Sequence, residues 1–303
     1  MKPQYHHKVM TSFLLWFDNY LLQKGEAYSN KTGVYHYMED TRLPSDYIRF
    51  STPYKQFVTD SSITGSPNPI IPSTIELLDL RDNSVAGTLQ RADGDFLFDF
   101  ENGGIIRFGT ALNNVMNEDP NSAYITGSFA VKDFNIYLTN ETEEDLILES
   151  KFINNSRYGG SAGTGIKPYD QAVPAIFINS ETIQNVPFAF GGEDETRMGI
   201  KAVVLAEDNY NLDAVLSIFA DSRNKDITLI PFSGHPATEY GDIDGGSYNY
   251  TGLVDTYKTI EEPLYIEDVV VSKLSDKAQK QSIGDLKVGF IDFDVYQRRF
   301  PRQ

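Results

Sequence analysis

The sequence contains no cysteine, and this absence removes several classes of protein at once. A chain without thiols has no disulfide framework, no thiol nucleophile, no iron–sulfur cluster and no cysteine-bound zinc. Histidine is almost as scarce, with four residues in 303: His6, His7, His36 and His235. Zinc needs three or four converging ligands. We therefore expect no metal site and no cofactor.

Basic residues are also few, because 26 Lys and Arg stand against 43 Asp and Glu, for a net charge of −17. Affinity for nucleic-acid phosphate comes from Lys and Arg, so this balance argues against a dedicated nucleic-acid binder. Long apolar runs are missing as well. The run at 172–178 contains Pro174 and is far shorter than the roughly 20 residues of a membrane span.

The N-terminal apolar stretch at 9–22 has Asp18 and Asn19 inside it and no small-residue cleavage site after it. We therefore predict a helix over residues 6–24 rather than a signal peptide, in a chain that is soluble, unprocessed and without membrane contact. Gly25 is placed to end this helix. Trp16 and Leu22 widen its apolar face, which indicates either deep packing or a surface shared with a partner chain.

In residues 46–160 the apolar residues no longer recur at the spacing of a helix, and this segment is predicted to be an antiparallel β-domain. Phe96, Phe98 and Phe100 alternate with other residues and lead into Asn102-Gly103, a strong hairpin signal. The Gly-rich stretch at 159–168 lacks the ending of a phosphate-binding loop and is interpreted as a linker.

The second half of the chain alternates strands with one helix. The pattern predicts strands at 173–178, 200–206, 266–274 and 286–295, an acidic turn at 191–197, and a long polar loop at 233–260. Asn211 is the predicted cap of a helix. Apolar residues change phase near Phe290 and Ile291, which predicts a β-bulge there.

Catalytic motifs are weak throughout the sequence. Asp242 and Asp244 resemble the start of a calcium loop, but the required Glu is missing. The sequence has no Gly-x-Ser-x-Gly elbow, and no histidine has a neighbourhood suited to a catalytic triad. We expect a protein that is not an enzyme. An enzyme with dispersed carboxylates stays open and would need a concave pocket in which acids face each other.

Aromatic and basic residues supply two further cues. A loop with Tyr240, Tyr248, Tyr250 and Tyr257 is suited either to a sugar-binding platform or to protein contact. The alternative function is accordingly host adhesion or carbohydrate binding. Arg298, Arg299 and Arg302 form a basic segment near the end of an otherwise acidic chain. This segment is suited to pairing with the acidic face of a neighbouring copy.

Four local segments, at 131–144, 187–196, 291–295 and 299–302, resemble virion structural proteins of tailed phages. The order of elements resembles the small subunit of the tail terminator (tail completion) family. This resemblance implies an α+β fold. Residues 1–45 and 165–303 would form a terminator-like α/β core with a helix packed on a mixed or antiparallel sheet, and residues 46–160 would be an inserted antiparallel β-domain.

The resemblance also implies a role in the neck or at the head-proximal end of the tail. The chain would assemble in the host cytoplasm into a virion ring of six subunits that contacts other neck and tail proteins. DNA would pass through the ring without being gripped, since acidic subunits repel phosphate. The residues expected at the lumen or at subunit interfaces are Trp16, Glu193, Asp194, Glu195, Tyr248, Tyr250, Arg298, Arg299 and Arg302.

Overall fold

Two curled β-sheets, with helices packed against one of them, carry most of the chain. The computed structural model describes residues 4–38, 47–51, 54, 56–63, 74–90, 95–99, 104–108, 123–148, 153–154, 172–237, 247–260, 262–275 and 286–300. The expectation of a fold that mixes α and β structure is confirmed.

The first sheet has seven antiparallel strands in the order β4-β3-β7-β1-β2-β6-β5. Buried aromatic side chains, among them Tyr35, Phe50 and Phe129, form its core. The predicted hairpin is confirmed, since β5 pairs antiparallel with β6 and Asp99 faces Gly104. The strands are β1 (Tyr28–Met38), β2 (Tyr47–Ser51), β3 (Thr74–Asp79), β4 (Val85–Gln90), β5 (Phe96–Asp99), β6 (Gly104–Phe108) and β7 (Ala123–Lys132).

The second sheet has six strands in the order β13-β14-β15-β12-β11-β8, and only its β8–β11 pair is parallel. A separate short parallel pair joins β9 (Ile153–Asn154) to β10 (Ala172–Val173). The strands of the second sheet are β8 (Asn135–Leu138), β11 (Ala175–Ala189), β12 (Glu193–Ala206), β13 (Asp226–Ile227), β14 (Leu264–Lys273) and β15 (Lys287–Arg299).

Helix α1 (Tyr5–Gly25) packs with helix α3 (Asn209–Ala220) on one face of the second sheet. The rings of Phe17 and Phe219 stack with their centroids 3.9 Å apart, and Phe13 meets Phe293 of β15 edge-on at 5.1 Å. The predicted N-terminal helix is therefore confirmed, and its apolar face lies in the core.

Two smaller helices complete the described elements. Helix α2 (Glu143–Leu148) follows β8, and helix α4 (Tyr250–Tyr257) lies where the sequence predicted only a polar loop. The predicted cap of α3 is also wrong by three residues. Asp208 is the N-cap, and its carboxylate accepts the backbone N–H of Asn211 at 2.7 Å.

The predicted bulge near Phe290 and Ile291 is wrong. The pairing of β15 with both β12 and β14 runs through these residues without a break. Apolar residues occur at both odd and even positions of β15 because both faces of this strand are covered. Ile291 lies in the core under α1 and α3, while Phe290 packs in a smaller cluster on the opposite face. The irregularity lies instead in β14, between Ile266 and Asp268.

The sheets divide the chain differently from the predicted boundaries at 46 and 160. β1 belongs to the seven-stranded sheet although it precedes residue 46, and β8 already belongs to the six-stranded sheet. The physical reason is that β1 pairs with β7 along nine residues, from Tyr28 opposite Lys132 to His36 opposite Tyr124. The predicted linker at 159–168 lies outside the described residues.

Substitution of Phe219 by Ala tests the contact between the two helices. Phe219 has no exposed surface, and removal of a buried Phe leaves a cavity that costs about 3–5 kcal/mol. We expect a loss of this size in the free energy of unfolding, measured by denaturant titration. Tyr210→Ala on the same helix is the control, because Tyr210 is 83% exposed and should change stability by less than about 0.5 kcal/mol.

Candidate functional site

The distal part of β11 and the start of β12 form an extension of the six-stranded sheet, here called the arm (residues 181–195). β8 borders β11 only at Ala175–Ile178, so beyond this point the outer side of β11 has no neighbouring strand among the described residues. The exposed apolar side chains of the arm are Ile183, Val186, Phe188 and Phe190.

The tip of the arm is a turn that presents one aromatic ring to solvent. Phe190 is fully exposed, and it is followed by Gly191 and Gly192, whose φ angles are 114° and 91°. Glycine adopts these positive φ values without a steric penalty, so the turn closes directly behind the ring. A Cβ added at either glycine would meet no atom within 4 Å, which shows that the tip stands clear of the rest of the chain.

The acidic residues predicted as a turn are part of β12, which begins at Glu193. Asp194 lies opposite Arg299 of β15, and Glu195 lies opposite Arg298. Glu195 also accepts a hydrogen bond from Arg197 at 2.7 Å. Of the predicted turn at 191–197, only Gly191 and Gly192 lie in a turn, because Glu193 pairs with Ala189 of β11 and the ladder with β15 begins at Asp194.

The C-terminal arginines make their contacts within the chain. The Arg298 guanidinium lies 4.1 Å from the ring centre of Phe188, and that of Arg299 lies 3.7 Å from the ring centre of Tyr5. Arg299 also donates to the Thr196 hydroxyl at 2.8 Å. These contacts hold the acidic start of β12 and the N-terminus of α1 together, where the sequence predicted pairing with a neighbouring copy. Arg302 lies outside the described residues.

Three of the predicted interface residues are buried in the core of this chain. Trp16 is 6% exposed and stacks on Tyr20, so it fills the space between α1 and α3. Tyr248 and Tyr250 are 9% and 7% exposed and pack in the same core. Neither tyrosine can form a sugar-binding platform in this position. Tyr240 lies outside the described residues.

A buried ion pair lies beside these tyrosines, where α1 passes the end of β7. The Lys132 ammonium is 2.7 Å from the Asp18 carboxylate, and both side chains are almost fully buried. Burial is the largest influence and raises the pKa of Asp18, although the Lys132 charge and the Tyr248 hydroxyl oppose the change. The sequence analysis did not predict this pair, and its one local sign is the presence of Asp18 inside an apolar helix.

Two adjoining clefts run between α1 and β8 and are here called the α1–β8 groove. The larger has a volume of about 340 Å³ and is lined by Leu14, Leu15, Ile136 and His235 among others, with the Asp18–Lys132 pair in its wall. The smaller, of about 140 Å³, is lined by His6, His7 and Met10 among others. Leu138 belongs to both and is 41% exposed, so the groove is an accessible apolar surface.

A third cleft, of about 520 Å³, surrounds Lys201 on the opposite face of the sheet. The Lys201 ammonium lies 2.5 Å from Glu143, 2.7 Å from Glu181 and 3.5 Å from Asp292. Burial alone would lower the pKa of Lys201, but hydrogen bonds to Glu143 and Glu181 raise it well above its ordinary value. The acids of this cleft therefore converge on a cation supplied by the chain, and the cluster ties α2 to three strands.

Within the described ranges, no group of three or more His, Asp or Glu side chains is arranged to hold a metal ion. No helix in the same ranges has the length and apolar character needed to cross a membrane. Asp242 and Asp244, which resembled a calcium loop, lie outside the described residues.

The chain matches no protein-family model, and a search of curated proteins finds no significantly similar sequence.

The residues that sequence reasoning missed are the apolar ones of the arm. Val186, Phe188 and Phe190 alternate before Gly191-Gly192, which is the pattern of a strand that enters a hairpin turn. Phe188 and Phe190 share one phase of the alternation, and the acidic residues after the two glycines begin the second strand of the hairpin, β12. This signal could have been found from the sequence.

The half-buried His235 predicts a pH dependence of stability. Its Nδ1 accepts the Ala237 N–H at 3.2 Å, and burial lowers the pKa of its ring below the ordinary 6.5. The unfolded chain therefore binds a proton more readily than the folded chain, so the free energy of unfolding should fall as pH drops below 6.5. For one proton the slope is at most about 1.4 kcal/mol per pH unit.

Denaturant titrations between about pH 8 and about pH 5 check this dependence. His235→Asn keeps an acceptor for Ala237 and should reduce the slope. A residual slope is expected from His6, whose pKa is also lowered, first by burial and then by His7. An unchanged slope in the variant would show that His235 does not titrate differently in the two states.

Proposed function

We propose that this chain is a structural subunit of a tailed-phage virion that forms a closed homo-oligomeric ring in the neck or at the head-proximal end of the tail. The resemblance to tail terminators supports this role, as does the helix-covered six-stranded sheet expected for a terminator-like core. The subunit acts through contacts with its own copies and with neighbouring neck and tail proteins. It needs no catalytic group and no cofactor for this role.

The exposed arm is the observation that carries the proposal. A fully exposed Phe190 at the end of an ordered strand pair contributes nothing to the fold of its own chain. Aromatic side chains are enriched at protein interfaces because they bury large apolar areas. β11 contains Pro187, and its ladder with β12 has two register shifts; both devices hinder edge-to-edge strand pairing. The arm is therefore suited to docking through side chains, as in ring assembly.

The charge of the chain supports the same role. A ring of subunits that each carry −17 presents a negative field to any phosphate backbone within it. DNA then passes without adhesion. Glu193 and Asp194, at the base of the arm tip, are only partly covered and are the acids we assign to the lumen or to an adjacent copy.

The alternative of carbohydrate binding loses its support from the tyrosines, since Tyr248 and Tyr250 lie in the core. No other described feature favours it, and we do not propose it.

Ring formation is tested by the mass and negative-stain shape of the purified chain over a concentration series. We expect a shift from monomer to one closed oligomer, because head-to-tail contacts stop growing once a ring closes. A monomer at every concentration would contradict self-assembly, and open filaments of variable length would contradict closure.

Charge reversal at the acidic residues tests their assignment. Glu193→Lys combined with Asp194→Lys should weaken ring formation or reduce the yield of DNA-filled particles, since it places positive charge at a neighbour or in the DNA path. Glu76→Lys combined with Glu262→Lys makes the same change in net charge at other exposed positions and should have no effect. Equal behaviour of the two double variants would overturn the assignment.

A further inference from the structure

The Asp18–Lys132 pair is more completely removed from water than the ion pairs of Lys201 and Arg197. The Asp18 side chain is 7% exposed and that of Lys132 is 11% exposed. The Lys201 and Arg197 side chains are 23% and 48% exposed in their own ion pairs. The amine and the carboxyl group of the buried pair therefore lie in contact in a largely dry, apolar part of the molecule.

We propose that the Asp18 carboxyl group and the Lys132 amine condense to an amide, so that a covalent isopeptide bond joins α1 to β7. The bond is a modification that the folded chain makes on itself. This inference goes beyond the proposed ring and does not depend on it.

The reaction needs no co-reactant. Transfer of one proton from the Lys132 ammonium to the Asp18 carboxylate leaves a neutral amine beside a neutral acid, and exclusion from water favours this neutral pair. The lone pair of Nζ then forms a bond to the carboxyl carbon. The resulting tetrahedral intermediate breaks one C–O bond and expels hydroxide, which leaves as water with a proton from the nitrogen. One ammonium and one carboxylate thus become one amide and one water, with no net change in protons or electrons.

The surroundings of Asp18 favour its reactive, protonated form. Burial is the largest influence on the pKa of Asp18 and raises it, and the charge of Asp60 acts in the same direction against the opposing effect of Lys132. The Tyr248 hydroxyl is hydrogen-bonded to the Asp18 carboxyl group. Tyr248 is therefore placed to stabilise the oxygen that becomes negative in the tetrahedral intermediate, as an oxyanion-hole donor does.

Regular secondary structure holds the two reacting groups in place. Asp18 lies within α1, and the side chain of the next residue, Asn19, donates to Asp60 at 2.7 Å. Lys132 ends β7, and its backbone N–H donates to the Gln56 carbonyl at 3.0 Å. In this arrangement Nζ lies 2.7 Å from the Asp18 carboxylate. Well-oriented groups held in contact react with effective concentrations of about 10⁵–10⁸ M, which favours condensation.

One oxygen of Asp18 is already a poor fit to its site. Within the described part of the chain, Oδ1 of Asp18 is fully buried and has no hydrogen bond of good geometry, although it faces Lys132. Loss of an oxygen as water removes this unsatisfied polar atom. The cleft of about 340 Å³ has Asp18 and Lys132 in its wall, so the released water has a path to solvent.

Asp60, the other buried acid nearby, is not expected to react. Its two oxygens accept hydrogen bonds from the Asn19 side chain, from the Ser62 backbone and hydroxyl, and from the Tyr250 backbone. Amide formation at Asp60 would remove an acceptor from this network and leave buried donors unpaired. The reaction is therefore specific for Asp18.

The isopeptide bond would tie together two elements that are 114 positions apart in the sequence. It joins the helix that covers the six-stranded sheet to a strand of the seven-stranded sheet. Such a crosslink restricts the unfolded chain as a disulfide does. A chain without cysteine would gain this restraint in a form that reducing agents do not break.

Intact-mass spectrometry of the purified, denatured chain tests the bond. We expect a mass about 18 Da below that of the sequence, which is the loss of one water. Trypsin should release residues 9–24 joined to residues 108–151, because Lys132 is no longer a cleavage site once its amine is acylated. A wild-type chain that keeps its full sequence mass after folding at neutral pH, or that loses water at another site, overturns the proposal.

Substitution of the amine provides a second readout. Lys132→Arg keeps the positive charge but has no amine that can be deprotonated, so this variant should have its full sequence mass. Lys201→Arg is the matched control, because Lys201 also contacts acids and its replacement should leave the loss of water unchanged. A loss of water that persists in Lys132→Arg overturns the assignment. The mass of the wild type decides the proposal even where a variant does not fold.

The role of Tyr248 is tested by the rate at which the bond forms. Tyr248→Phe removes the hydroxyl group and should slow amide formation by about 100-fold, as expected for the loss of one oxyanion donor. The measurement is the fraction of chains that still have the full sequence mass at increasing times after synthesis. Equal fractions in the wild type and in the variant at every time would remove Tyr248 from the reaction.

Discussion

Two buried carboxylates fix how the sheets and α1 fit together. Asp18 pairs with Lys132 at the end of the seven-stranded sheet. Asp60 has no exposed surface and accepts hydrogen bonds from the Asn19 side chain at 2.7 Å and from the Tyr250 backbone at 3.0 Å. A buried charge that loses its partners costs several kcal/mol, so α1 cannot rotate or slide without breaking these contacts. The position of the helix, and with it the α1–β8 groove, follows from this constraint.

The arm differs from the rest of the second sheet in how its strands are covered. Near α1, every described strand of the second sheet is covered by helices or by the smaller apolar cluster, whereas β11 loses its outer neighbour after Ile178. Arg298 contacts Phe188, two residues before the tip, and Arg299 lies opposite Asp194 and contacts Tyr5. The end of β15 thus supports the β12 side of the arm almost to its tip, and Phe190 lies beyond this support. An exposed apolar surface of this kind is typical of sites that bind another molecule.

Patterns with a local cause were predicted from the sequence, and patterns with a tertiary cause were not. Helix α1 follows from its apolar period, and the β5–β6 hairpin follows from alternation around Asn102-Gly103. The phase change in β15 has no local cause, because it records the covering of Phe290 on one face and Ile291 on the other. The buried Tyr248 likewise contacts Asp18, a residue 230 positions away in the sequence, and no composition rule indicates this contact. Of the candidate site, the acidic residues and the arginines were identified, but their pairing within one chain and the aromatic tip were not.

The energetics of a single arm contact explain why a ring would be the stable product. An anchor that buries about 200 Å² contributes about 5 kcal/mol at 25 cal/mol per Å². Association costs about 4–15 kcal/mol in lost freedom, so one contact with its flanking strand is weak. The last subunit of a closing ring makes two contacts for one such cost, and closure therefore stabilises the assembly far more than each addition before it. Isolated copies would then remain separate at low concentration, and a surface that gathers them would favour the closed ring.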